Sequence, residues 1–313
     1  MKIVVLGAGA LGSYFGLRMH EIGHEITFLV REGRAQQLKE NGLKIMSPKG
    51  DLSWKTPHYC VDVSEIEACD LLVVGLKGYH LQGASEQLRQ LADKGATVLP
   101  VLNGIEHLKI LQDIFGEDRV LGGIAYIIAT LNEAGHVVHT GDQHAFLYGM
   151  IDKGAKDTLA QRVCAELSQS AGDVNLDLAE SEFIYKEMWK KYVFISAFSG
   201  VTTTSRLPIG PIRNTPETLE LGKKVVEEMV ALAEAYDVHI DDGVEETMTK
   251  LLYGFPDEAT SSMHQDFRNQ RPLEVDALFG AALRMGRAKG LALPHVETLH
   301  ALLKPYEYPQ GKK

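Results

Sequence analysis

The sequence has little that would suit a secreted, membrane-spanning or disulfide-stabilised protein. Its 313 residues include only three cysteines and no C-x-x-C pair, which excludes a disulfide scaffold and indicates reduced thiols in a cytoplasmic protein. No apolar run approaches about 18 residues, so we expect no transmembrane helix. The apolar run at residues 3–6 is too short for the core of a signal peptide.

Positive charge is also scarce. Lysine and arginine total 32 against 42 aspartates and glutamates, a formal net charge of −10. This acidic balance argues against nucleic acid or an anionic membrane as the main partner, because both bind basic surfaces. With 45% apolar and 24% charged residues, the composition is that of a globular protein, and the length predicts about two domains.

A glycine motif lies close to the N-terminus. Residues 2–6 predict a strand buried on both faces, and a helix over 13–21 and a strand over 26–30 follow. The loop between the first strand and the helix reads G-x-G-x-x-G and consists of Gly7, Ala8, Gly9, Ala10, Leu11 and Gly12. In this context the motif predicts a dinucleotide site, with the pyrophosphate at the helix N-terminus. The alternative is that the glycines serve only a turn.

The residue at the end of the second strand discriminates between cofactors. Proteins that bind NAD place Asp or Glu there to bond the ribose 2′-hydroxyl. This sequence has Arg31, with Arg34 close by, and a guanidinium fits a 2′-phosphate. We therefore predict NADP, although the neighbouring Glu32 could favour either cofactor and Arg31 could be only a solvated charge.

The segment from His20 to His24 matches H-E-x-x-H, the signature of zinc proteases. That chemistry needs both histidines on one face of a continuous helix. Gly23 interrupts the helix, and no third ligand follows at a suitable spacing. We predict no metal site.

Polar residues follow the next two strands. Lys77 follows a strand predicted over 71–74, and Asn103 follows one predicted over 97–102. Ligands of doubly wound sheets lie beyond the carboxyl ends of the strands, so we expect these side chains near the glycine loop. The alternatives are a solvated loop lysine and a simple Asn103-Gly104 turn.

The remaining pattern changes from mixed to helical near residue 182. Strands are predicted at 120–130, 137–140, 145–148 and 174–178, and helices at 81–92, 106–114 and 155–171. Later helices are predicted at 182–204, 215–236, 243–253, 273–289 and 294–304. The fold class is therefore an α/β Rossmann-type N-terminal domain, residues 1–181, followed by an all-α C-terminal domain, residues 182–313.

Two charged residues of the helical half fall on apolar stripes. Lys191 shares a helix face with Ile184 and Met188, so burial should lower its pKa and make it a candidate general acid or substrate anchor. Glu274 lies on a similar stripe and could be its acidic partner. The alternatives are a snorkelling lysine and a glutamate that only complements a helix dipole.

Five segments together resemble the ketopantoate reductase family, and the match covers the whole chain. They are GAGALGS, LKGYH, LNGIEH, WKKYVF and SSMHQDFRNQRPLEVDALFG. The resemblance implies a cleft between a Rossmann domain and a helical domain, and NADPH-dependent reduction of 2-dehydropantoate to pantoate, a step of pantothenate biosynthesis.

The resemblance also implies roles for individual residues. It assigns Lys191 and Glu274 to catalysis. Cofactor contacts are assigned to Gly7, Ala8, Gly9, Ala10, Leu11, Gly12, Arg31, Lys77 and Asn103. Substrate contacts are assigned to Asn103, Lys191, Ser199 and Ser262. From the residues alone, the Ser261-Ser262 pair is expected in a loop, where it could bond an anionic substrate or cap a turn.

The chain departs from the family pattern at one point. Some relatives carry asparagines four and eight residues after the lysine, where this chain has Ile195 and Ser199. A reductase of a different branched 2-oxo acid is therefore one alternative, and a non-catalytic NADPH sensor is another. The helical domain offers a surface for a homodimer, but no exposed apolar patch can be identified from the sequence.

Overall fold

The computed structural model describes residues 1–151, 158–241, 243, 247, 250 and 253–309. The chain divides into two compact units. The first comprises Met1–Leu102 and His107–Tyr185, and the second comprises Asn103–Glu106 and Lys186–Lys313. No helix among the described residues is long and apolar enough to span a bilayer.

A parallel five-stranded sheet forms the centre of the first unit, in the order β5-β2-β1-β6-β7. Its strands are β1 (Lys2–Leu6), β2 (Glu25–Leu29), β5 (Tyr59–Cys60), β6 (Leu71–Val74) and β7 (Thr97–Pro100). Every residue of β6 and β7 is buried, as expected for strands covered on both faces. The predicted doubly wound sheet is confirmed.

A second, mixed sheet extends this unit, with β9 as its central strand. It contains β3 (Leu43–Met46), β4 (Leu52–Trp54), β8 (Leu121–Leu131), β9 (Val137–Met150) and β10 (Asp177–Glu180). The predicted antiparallel extension is confirmed, because β8 pairs antiparallel with β9. The prediction of two short strands within β9 is wrong. A shift of register between Ile127 and Ile128 lets the strand continue past Gly141, which has φ +81°.

Helices connect the strands of the first unit. They are α1 (Ala10–Glu21), α2 (Glu32–Asn41), α3 (Ser85–Asp93), α4 (Glu106–Phe115) and α5 (Leu159–Ser170). The predicted helix over 81–92 begins later, because two 3₁₀ turns, Gly78–His80 and Gln82–Ala84, precede α3. Helix α2 was not expected from the sequence.

The described residues of the second unit contain helices, turns and loops but no strand, which confirms the predicted fold class. Its helices are α6 (Ile184–Ser205), α7 (Ile209–Arg213), α8 (Pro216–Ala235), α9 (Ser262–Arg268), α10 (Ala281–Ala288) and α11 (Pro294–Leu303). Most of the helix predicted over 243–253 lies outside the described residues. The helix predicted over 273–289 is confirmed as one continuous helical segment over residues 275–288, but its first part is a π-helical turn, Asp276–Gly280, which precedes α10.

Candidate functional site

The glycine loop turns tightly between β1 and α1. Gly7 has φ +94°, a conformation that glycine adopts without strain. A Cβ atom at Gly12 would lie 2.3 Å from the main-chain oxygen of Gly7, so no larger residue fits there. These two glycines are required by the fold of the loop itself.

Gly9 has a different environment. A Cβ atom built at Gly9 would lie 3.8 Å from its nearest neighbour, the oxygen of Gly75, which is an ordinary contact distance. The packing of the protein therefore does not require glycine at this position. Gly9 is the residue before α1. No side chain caps the N-terminus of that helix, and its first turn contains no acidic residue. The loop thus fits a pyrophosphate, which needs close backbone approach and free helix N–H groups.

A cavity of about 710 Å³ opens beside this loop in the first unit. Its lining includes Gly7, Ala8 and Gly9 from the loop, Arg31 after β2, and Tyr79 and His80 from the turn that Lys77 begins. Arg31 is exposed, and its Nη2 lies 3.3 Å from Nδ1 of His80. Burial and the nearby guanidinium both lower the pKa of His80, which keeps that ring neutral and able to accept this hydrogen bond.

Arg34 is committed to the loop. Its Nε donates to the main-chain oxygen of Ala8 at 2.8 Å, and its Nη2 donates to the hydroxyl of Ser13 at 3.3 Å. Arg31 is therefore the guanidinium better placed to hold a 2′-phosphate. Glu32 also lines the cavity, in the first turn of α2, so the cavity wall is not uniformly basic.

Lys191 and its neighbour Lys190 lie on α6 in contrasting environments. Lys190 Nζ contacts the carboxylates of Asp241 at 2.7 Å and Glu187 at 3.3 Å, and its pKa is raised, mainly by the bond to Asp241. Lys191 is half-buried, and burial lowers its pKa to about 8. Glu274 opposes this shift without cancelling it. One of two adjacent lysines is thus a stable cation, and the other can exchange its proton near neutral pH.

Glu274 is buried, with 7% of its surface exposed, and lies just before the helical turn that begins at Val275. The side-chain amide of Asn103 donates to Glu274 Oε2 at 3.3 Å. The second unit therefore brings together three predicted site residues, Lys191, Glu274 and Asn103. Sequence reasoning suggested each of them but did not predict the Asn103–Glu274 hydrogen bond.

The predicted substrate serines differ in their surroundings. Ser199 is buried on α6, two turns after Lys191. Ser262 is exposed as the first residue of α9. The expected loop ends at Ser261, which confirms the capping alternative, because Ser261 caps α9 by accepting the N–H of His264, whereas Ser262 already belongs to the helix. The hydroxyl of Ser261 also lies 2.8 Å from that of Thr202, so its role in the structure is capping and packing.

The two histidines of the H-E-x-x-H segment have separate partners. His20 stacks on Trp54, whereas His24 lies beyond Gly23 and contacts Ser170 at 2.9 Å. No group of three metal-ligating side chains occurs in the ranges that the structure describes.

The close contact between the Gly104 turn and the π-helical turn is a feature that the sequence did not reveal. Gly104 has φ +79°, and a Cβ atom there would lie 3.0 Å from the main-chain oxygen of Ala277 in the π-helical turn. The hydroxyl of Tyr192, the residue after Lys191, donates to the oxygen of Leu278 at 2.5 Å. The π turn therefore contacts both the Asn103 segment and α6. Apart from the glycine at position 104, nothing in the sequence indicates this π turn or the positions of its carbonyl groups.

Comparison with known families identifies both halves of the chain. Residues 3–153 match the family model described as ketopantoate reductase PanE/ApbA, and residues 183–307 match its C-terminal counterpart.

Individual proteins resemble the chain over nearly its full length. An uncharacterized oxidoreductase, YkpB of Bacillus subtilis, is 33% identical over 98% of this chain and 99% of its own. The crystal structure of 2-dehydropantoate 2-reductase from Geobacter metallireducens is 28% identical, with a TM-score of 0.87 over 97% of this chain and 99% of its own. A D-mandelate dehydrogenase with NADH and anilino(oxo)acetate is 25% identical, with a TM-score of 0.85 over 98% of each chain.

Proposed function

The chain belongs to the ketopantoate reductase family of NADPH-dependent oxidoreductases, and from this premise we propose that it reduces 2-dehydropantoate to pantoate. The observation that carries the proposal is the half-buried Lys191, whose pKa is lowered to about 8 beside the buried Glu274. A perturbed lysine of this kind is typical of a proton donor at an active site.

The reaction needs a hydride at the carbonyl carbon and a proton at the carbonyl oxygen. NADPH, when bound, supplies the hydride. Lys191 stabilises the negative charge that develops on the oxygen and donates the proton. With a pKa of about 8, this amine is mostly protonated at neutral pH and is still a stronger acid than an ordinary lysine. Glu274 raises that pKa and so keeps a larger fraction of the amine protonated.

Other residues bind the reactants in this proposal. Gly9 and the N-terminus of α1 hold the pyrophosphate, and Arg31 holds the 2′-phosphate. Lys77 contributes to the cofactor site from the end of β6. Asn103 orients Glu274 and contacts the substrate, and two hydroxyl groups complete the substrate contacts, those of Ser199 and Ser262.

A second substrate class is favoured by the face of α6 beside the lysine. Ile195 lies one turn after Lys191, and Phe194 is also half-buried, stacked on Phe198 and Phe255 at centroid distances of 5.4 and 6.1 Å. Residues spaced by three or four share a helix face, so Phe194 and Ile195 place two side chains beside Lys191 that offer no hydrogen bond to a substrate hydroxyl. A 2-oxo acid with an apolar or aromatic substituent would fit this face, and such a ligand is present in the related D-mandelate dehydrogenase structure.

The deciding experiment is oxidation of NADPH by the purified protein with 2-dehydropantoate, run beside NADH and beside aliphatic and aromatic 2-oxo acids. NADPH-selective turnover of 2-dehydropantoate would support the first substrate, and preferential turnover of the apolar acids would support the second. Lys191→Ala should abolish turnover and keep NADPH binding, whereas Lys190→Ala, its matched control, should retain both. An absence of turnover with every acid despite tight NADPH binding would contradict the enzyme proposal and favour a sensor.

A further inference from the structure

Two distant segments of the second unit carry the residues that meet at Glu274. Asn103 and Glu274 are 171 positions apart, and their side chains are joined by one hydrogen bond of 3.3 Å. Such a contact depends on how firmly each segment is held. Two sets of hydrogen bonds, each described below as a device, hold these segments in place.

The first device is the guanidinium of Arg284 on α10. Its Nε and Nη2 donate to the two oxygens of Glu106 at 2.8 and 2.7 Å. Its Nη1 and Nη2 donate to the two oxygens of Asp276, both at 3.0 Å. Glu106 lies three residues after Asn103, and Asp276 lies two residues after Glu274. One planar guanidinium therefore bonds both the segment that carries Asn103 and the segment that carries Glu274.

The second device is Glu307, near the C-terminus. The N–H of Leu273 donates to the main-chain oxygen of Glu307 at 2.8 Å, and the N–H of Asp276 donates to its side-chain Oε1 at 3.1 Å. These two bonds lie on either side of Glu274 in the chain. Glu307 is itself buried, and its carboxylate contacts Lys304 at 2.6 Å.

We propose that Arg284 and Glu307 are positioning residues, which keep Asn103 and Glu274 in the arrangement that Lys191 requires. The inference rests on the function proposed above, because it assigns them a role through the proposed proton donor. The side chain of Arg284 is 46% exposed, and ion pairs at such positions contribute little to stability. A fork that bonds two carboxylates bidentately fixes orientation instead, and lysine cannot reproduce it.

Direct electrostatics and positioning predict opposite effects of removing Arg284. Loss of a cation, with Glu106 and Asp276 left unneutralised, would raise the pKa of Lys191 through space. Loosening Glu274 would remove the group that opposes the effect of burial and would lower that pKa further. We expect the second effect to dominate, so the sign of the shift decides between the two.

The test compares Arg284→Met and Arg284→Lys with Arg287→Met, a matched control on the same helix whose partner Glu297 is 3.9 Å away. The pKa of Lys191 is measured on the intact protein from the pH dependence of its acetylation, followed by peptide mass spectrometry. We expect Arg284→Met to lower this pKa by about one unit and to reduce kcat roughly tenfold. Arg284→Lys should give an intermediate loss, and Arg287→Met should match the wild type.

Glu307→Ala and Glu307→Gln form the second arm, with Glu297→Gln as the control. The amide oxygen of glutamine can still accept the N–H of Asp276, so Gln should restore most of what Ala removes. An unchanged or raised pKa of Lys191 in both Arg284→Met and Glu307→Ala would overturn the inference. Because acetylation needs no substrate, a protein without turnover whose Lys191 pKa still falls in these variants would refute the proposed function and retain the positioning role.

Discussion

Replacing Glu274 with glutamine should move the alkaline limit of activity to lower pH. Lys191 has a pKa of about 8, because burial lowers it and Glu274 only partly opposes the shift. A proton donor with this pKa is about 90% protonated at pH 7 and about 10% protonated at pH 9. The kcat/KM of the wild type should therefore fall about tenfold per pH unit above about pH 8.

The substitution isolates the charge of Glu274. Glutamine keeps an oxygen that can accept the Asn103 amide, so the 3.3 Å hydrogen bond can persist. Loss of the nearby negative charge should lower the pKa of Lys191 by about one unit, because the carboxylate favours the ammonium form. The midpoint of the alkaline limb should move from about 8 to about 7, and turnover at neutral pH should fall.

The assay is the initial rate of NADPH oxidation from about pH 6 to about pH 10, repeated with deuterium at the transferred position to show that chemistry limits the rate. Glu187→Gln is the matched control, because this carboxylate contacts Lys190 at 3.3 Å. It should leave the midpoint unchanged. A rate that has not fallen by about pH 10, as expected for the ordinary lysine pKa of 10.5, or a midpoint that Glu274→Gln does not move, would refute the reasoning about Lys191.

Three further predictions concern the first unit. Gly12→Ala should destabilise the protein by about 1–3 kcal/mol, measured by thermal unfolding, because the added Cβ has no room. Gly9→Ala should leave the melting temperature unchanged and weaken the binding of NADPH, measured by titration. Arg31→Ala should reduce the ratio of NADPH to NADH affinity about tenfold to hundredfold, and an unchanged ratio would exclude the 2′-phosphate role. Burial lowers the pKa of His139 and His144 below the value of 6.5 in the unfolded chain, so the unfolded chain binds protons first and the free energy of unfolding should decrease as the pH falls below 6.5. The double variant His139→Gln with His144→Gln should show a smaller decrease of melting temperature over this pH range.

Features encoded by short-range pattern could be predicted from the sequence. The β-branched run before Gly7 predicts β1, and the glycine spacing predicts the loop, because both depend on residues adjacent in the chain. Lys191 could be singled out for the same reason, since helical periodicity places it on the face of Ile184 and Met188, both buried.

Helix α2 shows where this reasoning fails. It buries only Ala35 and Leu38, so the sequence over Glu32–Asn41 carries almost no apolar periodicity. Its presence follows from the βαβ connection that the parallel sheet requires. The predicted break within β9 failed for another reason, because a bulge accommodates Gly141 without ending the strand.

The partners of Lys191 depend on contacts that no local pattern encodes. The Asn103–Glu274 bond and the Arg284 fork join segments more than a hundred residues apart, and a π turn shifts the helix that follows Glu274 out of the register expected from 3.6-residue periodicity. The sequence could therefore propose Glu274 as a partner but could not distinguish that role from simple complementarity to a helix dipole.

The contrast between Lys190 and Lys191 shows how small a structural difference separates an inert cation from a candidate acid. Adjacent residues of a helix point about 100° apart, so these two amines meet different surroundings. Lys190 meets Asp241, and its pKa rises. Lys191 is half-buried and influenced by one carboxylate, that of Glu274, and burial outweighs that charge. A stronger ion pair would raise the pKa and make the amine a weaker acid, and loss of Glu274 would lower the pKa and leave less of the amine protonated at neutral pH. The balance between burial and one carboxylate places the pKa near the pH at which a general acid is most effective.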